Sequence, residues 1–180
     1  IVFGDWSSDV CSSDLGTALA TDREAFDAVA AIVAKEVGQA KAWIHEYQPA
    51  REDQIEIVYS EWNLGSVPAT GAFCSDMFSA IWASTFLGEM ARNGVDAATH
   101  WDCFTHGSSN GGFALFHTLD NEGHDSSFLR KSQYYAFQLW NNLMGPQLLA
   151  TEETGDHTVR SYASRSRSEE HTSELQSPNT

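Results

Sequence analysis

The segment Gln54–Asn63, QIEIVYSEWN, limits most strongly what this chain can fold into. In a β-strand, its side chains would divide between two faces, with Ile55, Ile57, Tyr59 and Glu61 on one and Val58 and Ser60 on the other. Both faces are mostly uncharged near the centre of the strand. This pattern is typical of a parallel strand that other elements cover on both sides.

A long helix is predicted before this strand. Thr21 followed by Glu24 forms a capping box, which predicts a helix that begins near Asp22. Apolar residues then recur at steps of three and four and form one stripe along the helix: Val33, Val37, Ala40, Ile44 and Tyr47. Pro49 and the polar residues that follow it end the helix.

Two more helices and a second strand follow. The sequence predicts a helix over 74–93, a short strand over 95–104 and a helix over 131–143. The first of these helices would bury Phe78, Ile81, Trp82, Thr85, Phe86 and Met90. Turn residues and alternation over 147–164 predict a β-hairpin. Helices that alternate with strands at these spacings indicate βα units around a parallel sheet, which is an α/β fold.

The two ends of the chain resemble translated sequencing-adapter DNA. Residues 1–15 and 167–180 are rich in Ser, Asp and Glu and lack the period of a helix or a strand. Their codons are reverse complements, since TGG for Trp6 matches the CCA that spans Leu175–Gln176. Such segments are excluded from fold reasoning. We expect both ends to be disordered artefacts and 16–166 to be an internal fragment of a longer natural protein.

Composition disfavours several classes of function. The net charge of −15 argues against a nucleic acid or an anionic membrane as partner. The three cysteines fit neither a disulfide framework nor a zinc ribbon. The histidines near Asp102 and Cys103 match no zinc signature, and these are His100, His106, His117 and His124. Because the sequence also lacks a Gly-rich phosphate cradle, we expect neither a metal nor a cofactor.

Glu61 is the carboxylate that the pattern places best for chemistry. It ends the strand, and Trp62 and Asn63 follow it. If Tyr59 points into a barrel, alternation directs Glu61 inward too, to the mouth where (β/α)₈ enzymes carry their reacting groups. A retaining glycosidase uses such a carboxylate as nucleophile, roughly 5–5.5 Å from a second carboxyl group. The alternative is a structural Glu that pairs with a neighbouring Arg or Lys.

The stretch Tyr59–Gly65, YSEWNLG, resembles the seventh-strand motif of clan A glycoside hydrolases. The most similar pattern is that of family 44, the endo-β-glucanase and xyloglucanase group, and the arabinofuranosidase and β-xylosidase families are close. Further stretches match in order. Residues 86–101 resemble the seventh helix and eighth strand, 111–116 the turn before the eighth helix, and 131–145 that helix. The stretch 147–164 resembles the entry into the β-sandwich that follows such barrels.

This resemblance implies a fold and one catalytic role. Residues 16–146 would form the C-terminal part of a (β/α)₈ TIM barrel, and 147–166 the start of a C-terminal β domain. Glu61 would be the catalytic nucleophile. It follows Ser60, whereas the acid/base Glu of this clan follows an Asn on the fourth strand. The acid/base residue would therefore lie upstream of Gly16, and we expect this fragment alone to be inactive.

Four other residues are candidates for binding substrate. Trp101 ends the second strand and would turn inward, where its indole offers a flat apolar face to a pyranose; the alternative is a core aromatic. Alternation directs Trp62 away from Glu61, which favours packing beneath the helices over contact with a sugar. Asn63 would hydrogen-bond a substrate hydroxyl or cap the loop. His106, in the loop after the eighth strand, would line the cleft.

The expected reaction is hydrolysis of O-glycosidic bonds in a plant-type polysaccharide, a β-linked glucan or xyloglucan. The resemblance also implies that the parent enzyme is secreted. One alternative is an α-L-arabinofuranosidase or a β-xylosidase. The other is a non-catalytic carbohydrate-binding relative, which would keep Trp101 and lack the Asn-Glu pair of the fourth strand.

Overall fold

The computed structural model describes residues 2–3, 21–64, 77–105, 114–117, 129–154 and 159–166. The chain divides into two compact units, 1–138 and 139–180. The second unit thus begins at Leu139, whereas the sequence-based boundary of the C-terminal β domain lies at 147. The described residues combine helices with parallel strands, as the sequence predicts for an α/β fold.

Helix α1 (Asp22–Tyr47) begins where the sequence predicts. The Glu24 backbone N–H donates to Thr21 Oγ1 at 3.2 Å, and the Thr21 N–H donates to Glu24 Oε2 at 3.1 Å, which confirms the capping box. One face of the helix is buried: Ala25, Phe26, Val29, Val33, Val37, Ala40 and Ile44. The prediction that Tyr47 belongs to this face is wrong, because it is the last residue of the helix and is 66% exposed.

The main sheet has three parallel strands in the order β1-β2-β3. They are β1 (Val2–Phe3), β2 (Val58–Trp62) and β3 (Ala97–His100). A 3₁₀ turn over Pro49–Gln54 leads from α1 toward β2, and helix α2 (Met77–Asn93) connects β2 to β3. The connection is a βαβ unit, as predicted.

Strand β1 lies in a segment that the sequence analysis assigns to disorder. Val2 pairs with Val58, and Phe3 pairs with Tyr59. These two residues are therefore a strand in the structure, because the edge of β2 offers backbone groups that an extended segment can pair with. The rest of 1–15, and all of 167–180, lie outside the described residues.

Helices α1 and α2 cover one face of the sheet. They and β2 contribute most of a single core cluster, in which Val29, Val33, Tyr59, Ala83 and Phe86 are fully buried. Each of the buried Val and Phe side chains contributes about 1.5–3 kcal/mol relative to leaving it in water. The expectation that β2 is covered on both faces is met on the face of Tyr59 and Trp62 only, because Val58, Ser60 and Glu61 are partly exposed.

Helix α2 agrees with the sequence prediction except at one position. Trp82, Thr85, Phe86 and Met90 are buried, and Phe78 packs against the core. The prediction for Ile81 is wrong, since it is 48% exposed while the small residues Ser79 and Ala83 are buried instead. A helical stripe leaves both sets near the boundary of the buried face, and the packing decides between them.

The remaining strands form two small sheets. In the first unit, β4 (Phe104–Thr105) pairs in parallel with β5 (Phe116–His117), which pairs antiparallel with β6 (Leu129–Arg130). Helix α3 (Ser132–Leu143) follows. In the second unit, β7 (Gln147–Leu149) and β8 (Ala163–Arg165) pair antiparallel, which confirms the predicted hairpin. The described strands do not close into a barrel. Within these ranges, no helix has the length and apolar character that a membrane crossing requires.

Candidate functional site

A bulge interrupts β2 next to the candidate nucleophile. Tyr59 pairs with Ala98, whereas Trp62 pairs with His100, so two residues of β2 lie opposite Thr99 alone. The extra residue breaks the alternation of side chains. Tyr59 and Trp62 are consequently both buried although they are three residues apart, and the intervening Ser60 and Glu61 are partly exposed.

Tyr59 faces the helices, and the assignment of its face to a barrel interior is wrong. Its ring meets that of Phe86 edge to face, with the centroids 5.9 Å apart, and its hydroxyl donates to Glu36 Oε2 of α1 at 2.6 Å. Burial raises the pKa of the Tyr59 hydroxyl well above its usual range, and the hydrogen bond to Glu36 raises it further. Ile57 is buried in the same core cluster.

Glu61 lies on the other face of the sheet for a reason that the sequence pattern did not contain. Trp62 faces the helices, so alternation across this single step directs Glu61 to the face that α1 and α2 leave uncovered. Without the bulge, Glu61 would share the face of Tyr59 and lie beneath the helices. The side chain is partly exposed. A carboxylate in this position is accessible to a ligand on the open face.

Trp101 follows the carboxyl end of β3, the strand that pairs with the one that carries Glu61. Its backbone N–H donates to the backbone oxygen of Trp62 at 3.0 Å, which extends the pairing of β2 and β3 by one residue. His100 faces Trp62, with ring centroids 5.1 Å apart, so alternation directs Trp101 to the open face. Its side chain is 51% exposed, and the core alternative for it is therefore wrong. The peptide bond from Trp101 to Asp102 is cis.

Trp62 is part of the core. It is 1% exposed and stacks on Phe86, with the centroids 5.1 Å apart and the planes 9° from parallel. Trp82 and Phe137 pack against the same indole. A side chain enclosed in this way offers no face to a sugar. These contacts support packing of Trp62 beneath the helices and not contact with a sugar.

Asn63 is buried and bonded on both sides of its amide. Its Nδ2 donates to the backbone oxygen of Trp101, and its Oδ1 accepts from the Leu64 N–H at 2.6 Å and from Gln133 Nε2 at 2.9 Å. Gln133, near the start of α3, is itself fully buried. Asn63 therefore joins the end of β2 to the end of β3 and to α3.

His100 completes this chain of polar side chains. Its Nε2 lies 2.9 Å from Gln133 Oε1, and its Nδ1 lies 3.3 Å from the backbone oxygen of Asp102. Burial lowers the pKa of His100 to about 4, while the hydrogen bonds to Gln133 and Asp102 act in the opposite direction. The imidazole is therefore neutral near pH 7.

Asp102 is the next carboxylate along the chain from Trp101. Burial raises its pKa, and the positive charge of the buried Lys131 partly offsets this effect. The backbone oxygen of Asp102 accepts from the Leu115 N–H at 3.0 Å, and the Leu115 oxygen accepts from the Lys131 N–H at 2.9 Å. These bonds hold the segment after Trp101 against β5 and the start of α3.

In the part of the chain that is described, no three His, Cys, Asp or Glu side chains come together as metal ligands. The Nε2 atom of His100 is occupied by Gln133 Oε1. His106 and His124 lie outside the described residues, so the expectation that His106 lines the cleft stays a prediction.

The polar chain behind Trp101 is the part of this site that the sequence analysis missed. Gln133 lies at the start of a predicted helix, and His100 entered only as a possible metal ligand. A glutamine at the start of one helix and an asparagine after a distant strand are only a weak signal that the two side chains will hydrogen-bond. No protein-family model and no curated protein matches this sequence.

Proposed function

We propose that this chain is the C-terminal part of a retaining glycoside hydrolase in which Glu61 is the nucleophile. One observation carries the proposal. A partly exposed carboxylate and an exposed indole lie at the carboxyl ends of two adjacent parallel strands, and both are directed to the face that the helices leave open. Catalytic groups of (β/α)₈ enzymes come from such strand ends. The finer fold that accompanies the proposal is a partial (β/α)₈ barrel.

The proposed reaction proceeds in two displacements. A carboxylate oxygen of Glu61 forms a bond to the anomeric carbon as the bond from that carbon to the leaving oxygen breaks. The leaving oxygen takes a proton from a second carboxyl group. Water then attacks the anomeric carbon and gives its proton to that same second group, while the bond from that carbon to Glu61 breaks. The sugar product keeps its original anomeric configuration. The second carboxyl group belongs, in this proposal, to a preceding part of the parent protein.

Trp101 would bind the sugar rather than take part in bond breaking. An exposed indole presents an apolar face, and the C–H groups of a β-linked glucopyranose present a matching one. A β-linked glucan or xyloglucan is therefore the proposed substrate, and a secreted enzyme the proposed source. Arabinofuranosidase and β-xylosidase activities are the alternatives within the same chemistry.

A second candidate is a non-catalytic carbohydrate-binding protein. The exposure of Trp101 favours it as much as it favours the enzyme, because stacking on a sugar needs no nucleophile. The parent sequence separates the two, since only the enzyme requires a second carboxylate, in an Asn-Glu pair on an earlier strand.

The experiment uses the parent reading frame recovered from the source DNA. Activity on β-glucan and xyloglucan would be compared among the parent enzyme, Glu61→Gln and the control Glu46→Gln, which makes the same change of charge on the exposed side of α1. We expect Glu61→Gln to lose about a thousandfold or more in kcat and Glu46→Gln to lose none. Equal activity of the two variants would overturn the assignment of Glu61.

A further inference from the structure

The exposed Trp101 indole is attached to backbone whose polar atoms are all tied to buried groups. Its N–H bonds to the oxygen of Trp62, and its own oxygen accepts from Asn63 Nδ2. The residue before it, His100, packs against Trp62 and Phe137, whose ring centroids lie 5.1 and 5.2 Å away. The structure therefore combines a freely accessible side chain with a main chain that is fixed on both sides.

The orientation of the two side-chain amides, those of Asn63 and Gln133, follows from one backbone donor. The Leu64 N–H donates to Asn63 Oδ1, so the donor that Asn63 presents to Trp101 must be Nδ2. Because Gln133 Nε2 donates to the same Oδ1, Gln133 Oε1 is left as an acceptor. His100 must then carry its proton on Nε2 to bond to it, and in this neutral tautomer Nδ1 has no proton to donate to the Asp102 backbone oxygen 3.3 Å away. Asn63, Gln133 and His100 therefore each have a single orientation of their polar atoms.

Such an arrangement is what a stacking platform for a sugar needs. A ligand that binds a mobile segment must first order it, and a main chain held in advance avoids this part of the loss of affinity. Asn63 and Gln133 are both buried; Asn63 bonds to the backbone oxygen of Trp101, and Gln133 bonds to Asn63. Their contribution to the proposed site is therefore to position Trp101 and not to react.

We propose that Asn63 and Gln133 are positioning residues that hold the main chain of Trp101 where its indole stacks on a β-linked glucopyranose. The identity of the ligand rests on the proposed function, whereas the positioning of Trp101 does not. His100 supports the two amides by occupying Gln133 Oε1.

The test uses the full chain labelled with 5-fluorotryptophan and observed by ¹⁹F NMR, with the Trp101 resonance assigned from its loss in Trp101→Phe. Gln133→Met keeps the length of the side chain and removes both of its hydrogen bonds. Gln138→Met makes the same change at an exposed position of α3. We expect Gln133→Met to shift or broaden the Trp101 resonance and to weaken cellohexaose binding about tenfold. Gln138→Met should change neither. An unchanged Trp101 resonance in Gln133→Met would overturn the proposal.

Asn63→Asp provides a second, isosteric variant. Its carboxylate still accepts from Leu64 and Gln133 but has no proton for the Trp101 oxygen, so the Trp101 resonance should move while the fold is kept. If both variants unfold and Gln138→Met does not, the amides serve the fold as a whole and the positioning role is contradicted. If the variants move the resonance but cellohexaose leaves the wild-type resonance unchanged, the positioning stands and the glycosidase proposal fails.

Discussion

The backbone N–H of Trp101 donates a hydrogen bond to the backbone oxygen of Trp62 at 3.0 Å. This bond continues the β2–β3 pairing beyond the last residue of β3, and it sets Trp101 beside the end of β2. The bulge in β2 directs Glu61 to the same face. Two backbone features thus place the carboxylate and the indole of the proposed site at the ends of neighbouring strands.

Removing the Tyr59 hydroxyl is expected to destabilise the core. Tyr59→Phe leaves the Glu36 carboxylate, partly buried between α1 and the sheet, without its 2.6 Å donor. We expect the free energy of unfolding in urea to fall by about 1–2 kcal/mol. Tyr47→Phe, which removes a hydroxyl from an exposed ring, should leave it unchanged. Equal effects of the two changes would show that the bond to Glu36 contributes nothing.

Phe86 is the aromatic residue on which the sheet and α2 meet. It stacks on both Trp62 and Trp82, with centroids 5.1 and 4.9 Å away, and is fully buried. Phe86→Ala should lower the free energy of unfolding by about 3–5 kcal/mol because it leaves a cavity between these rings. Ile81→Ala, on the exposed side of the same helix, should cost under about 1 kcal/mol. A small loss in Phe86→Ala would contradict the packing described here.

The stability of the fold is expected to fall in weak acid because of His100. The pKa of this residue is about 4 in the folded chain, below the usual value of about 6.5 in an unfolded chain. Between these two values the unfolded state binds a proton that the folded state does not, so stability decreases as the pH falls from about 6.5 to about 4. The loss from this residue reaches about 3 kcal/mol.

Unfolding free energies measured across this pH range provide the check. His100→Gln should show a shallower dependence on pH between about 4 and 6.5, because the group that titrates is gone. A wild-type slope in His100→Gln would mean that other groups control the acid sensitivity.

Trp101 and Trp62 should respond in opposite ways to truncation. Trp101→Ala removes a half-exposed side chain and should lower the free energy of unfolding by under about 2 kcal/mol, and under the proposed function it would also remove binding of cello-oligosaccharides. Trp62→Ala empties the centre of the core and should cost about 3–5 kcal/mol. Thermal unfolding and calorimetric titration with cellohexaose measure the two effects. A large loss of stability in Trp101→Ala would assign it to the core.

Local features of the fold were predictable because their causes are local. The capping box at Thr21 determines where α1 begins, and the apolar period identifies Val33, Val37 and Ile44 as its buried face. The hairpin in the second unit follows from alternation around turn residues. Positions at the edge of a stripe, such as Ile81, depend on what packs against them, and a single sequence does not contain that information.

The candidate site was predictable only in part. Strand alternation identified Trp62 as the opposite neighbour of Glu61, and it is buried. The same rule grouped Glu61 with Tyr59, and the bulge separates them. A bulge arises from how β2 pairs with β3, so the sequence of β2 alone does not reveal it. The contact between Asn63 and Gln133 joins residues that are far apart in sequence, and no periodic pattern reports it.

The most direct test of the account is to trap the glycosyl-enzyme. The parent protein would be treated with a 2-deoxy-2-fluoro-β-glucosyl donor that carries a dinitrophenolate leaving group, which departs without help from an acid. The account predicts that the protein gains the mass of one fluoroglucosyl group and that peptide mapping locates it on Glu61. A label on a different carboxylate, with Glu61 unmodified, would contradict the assignment.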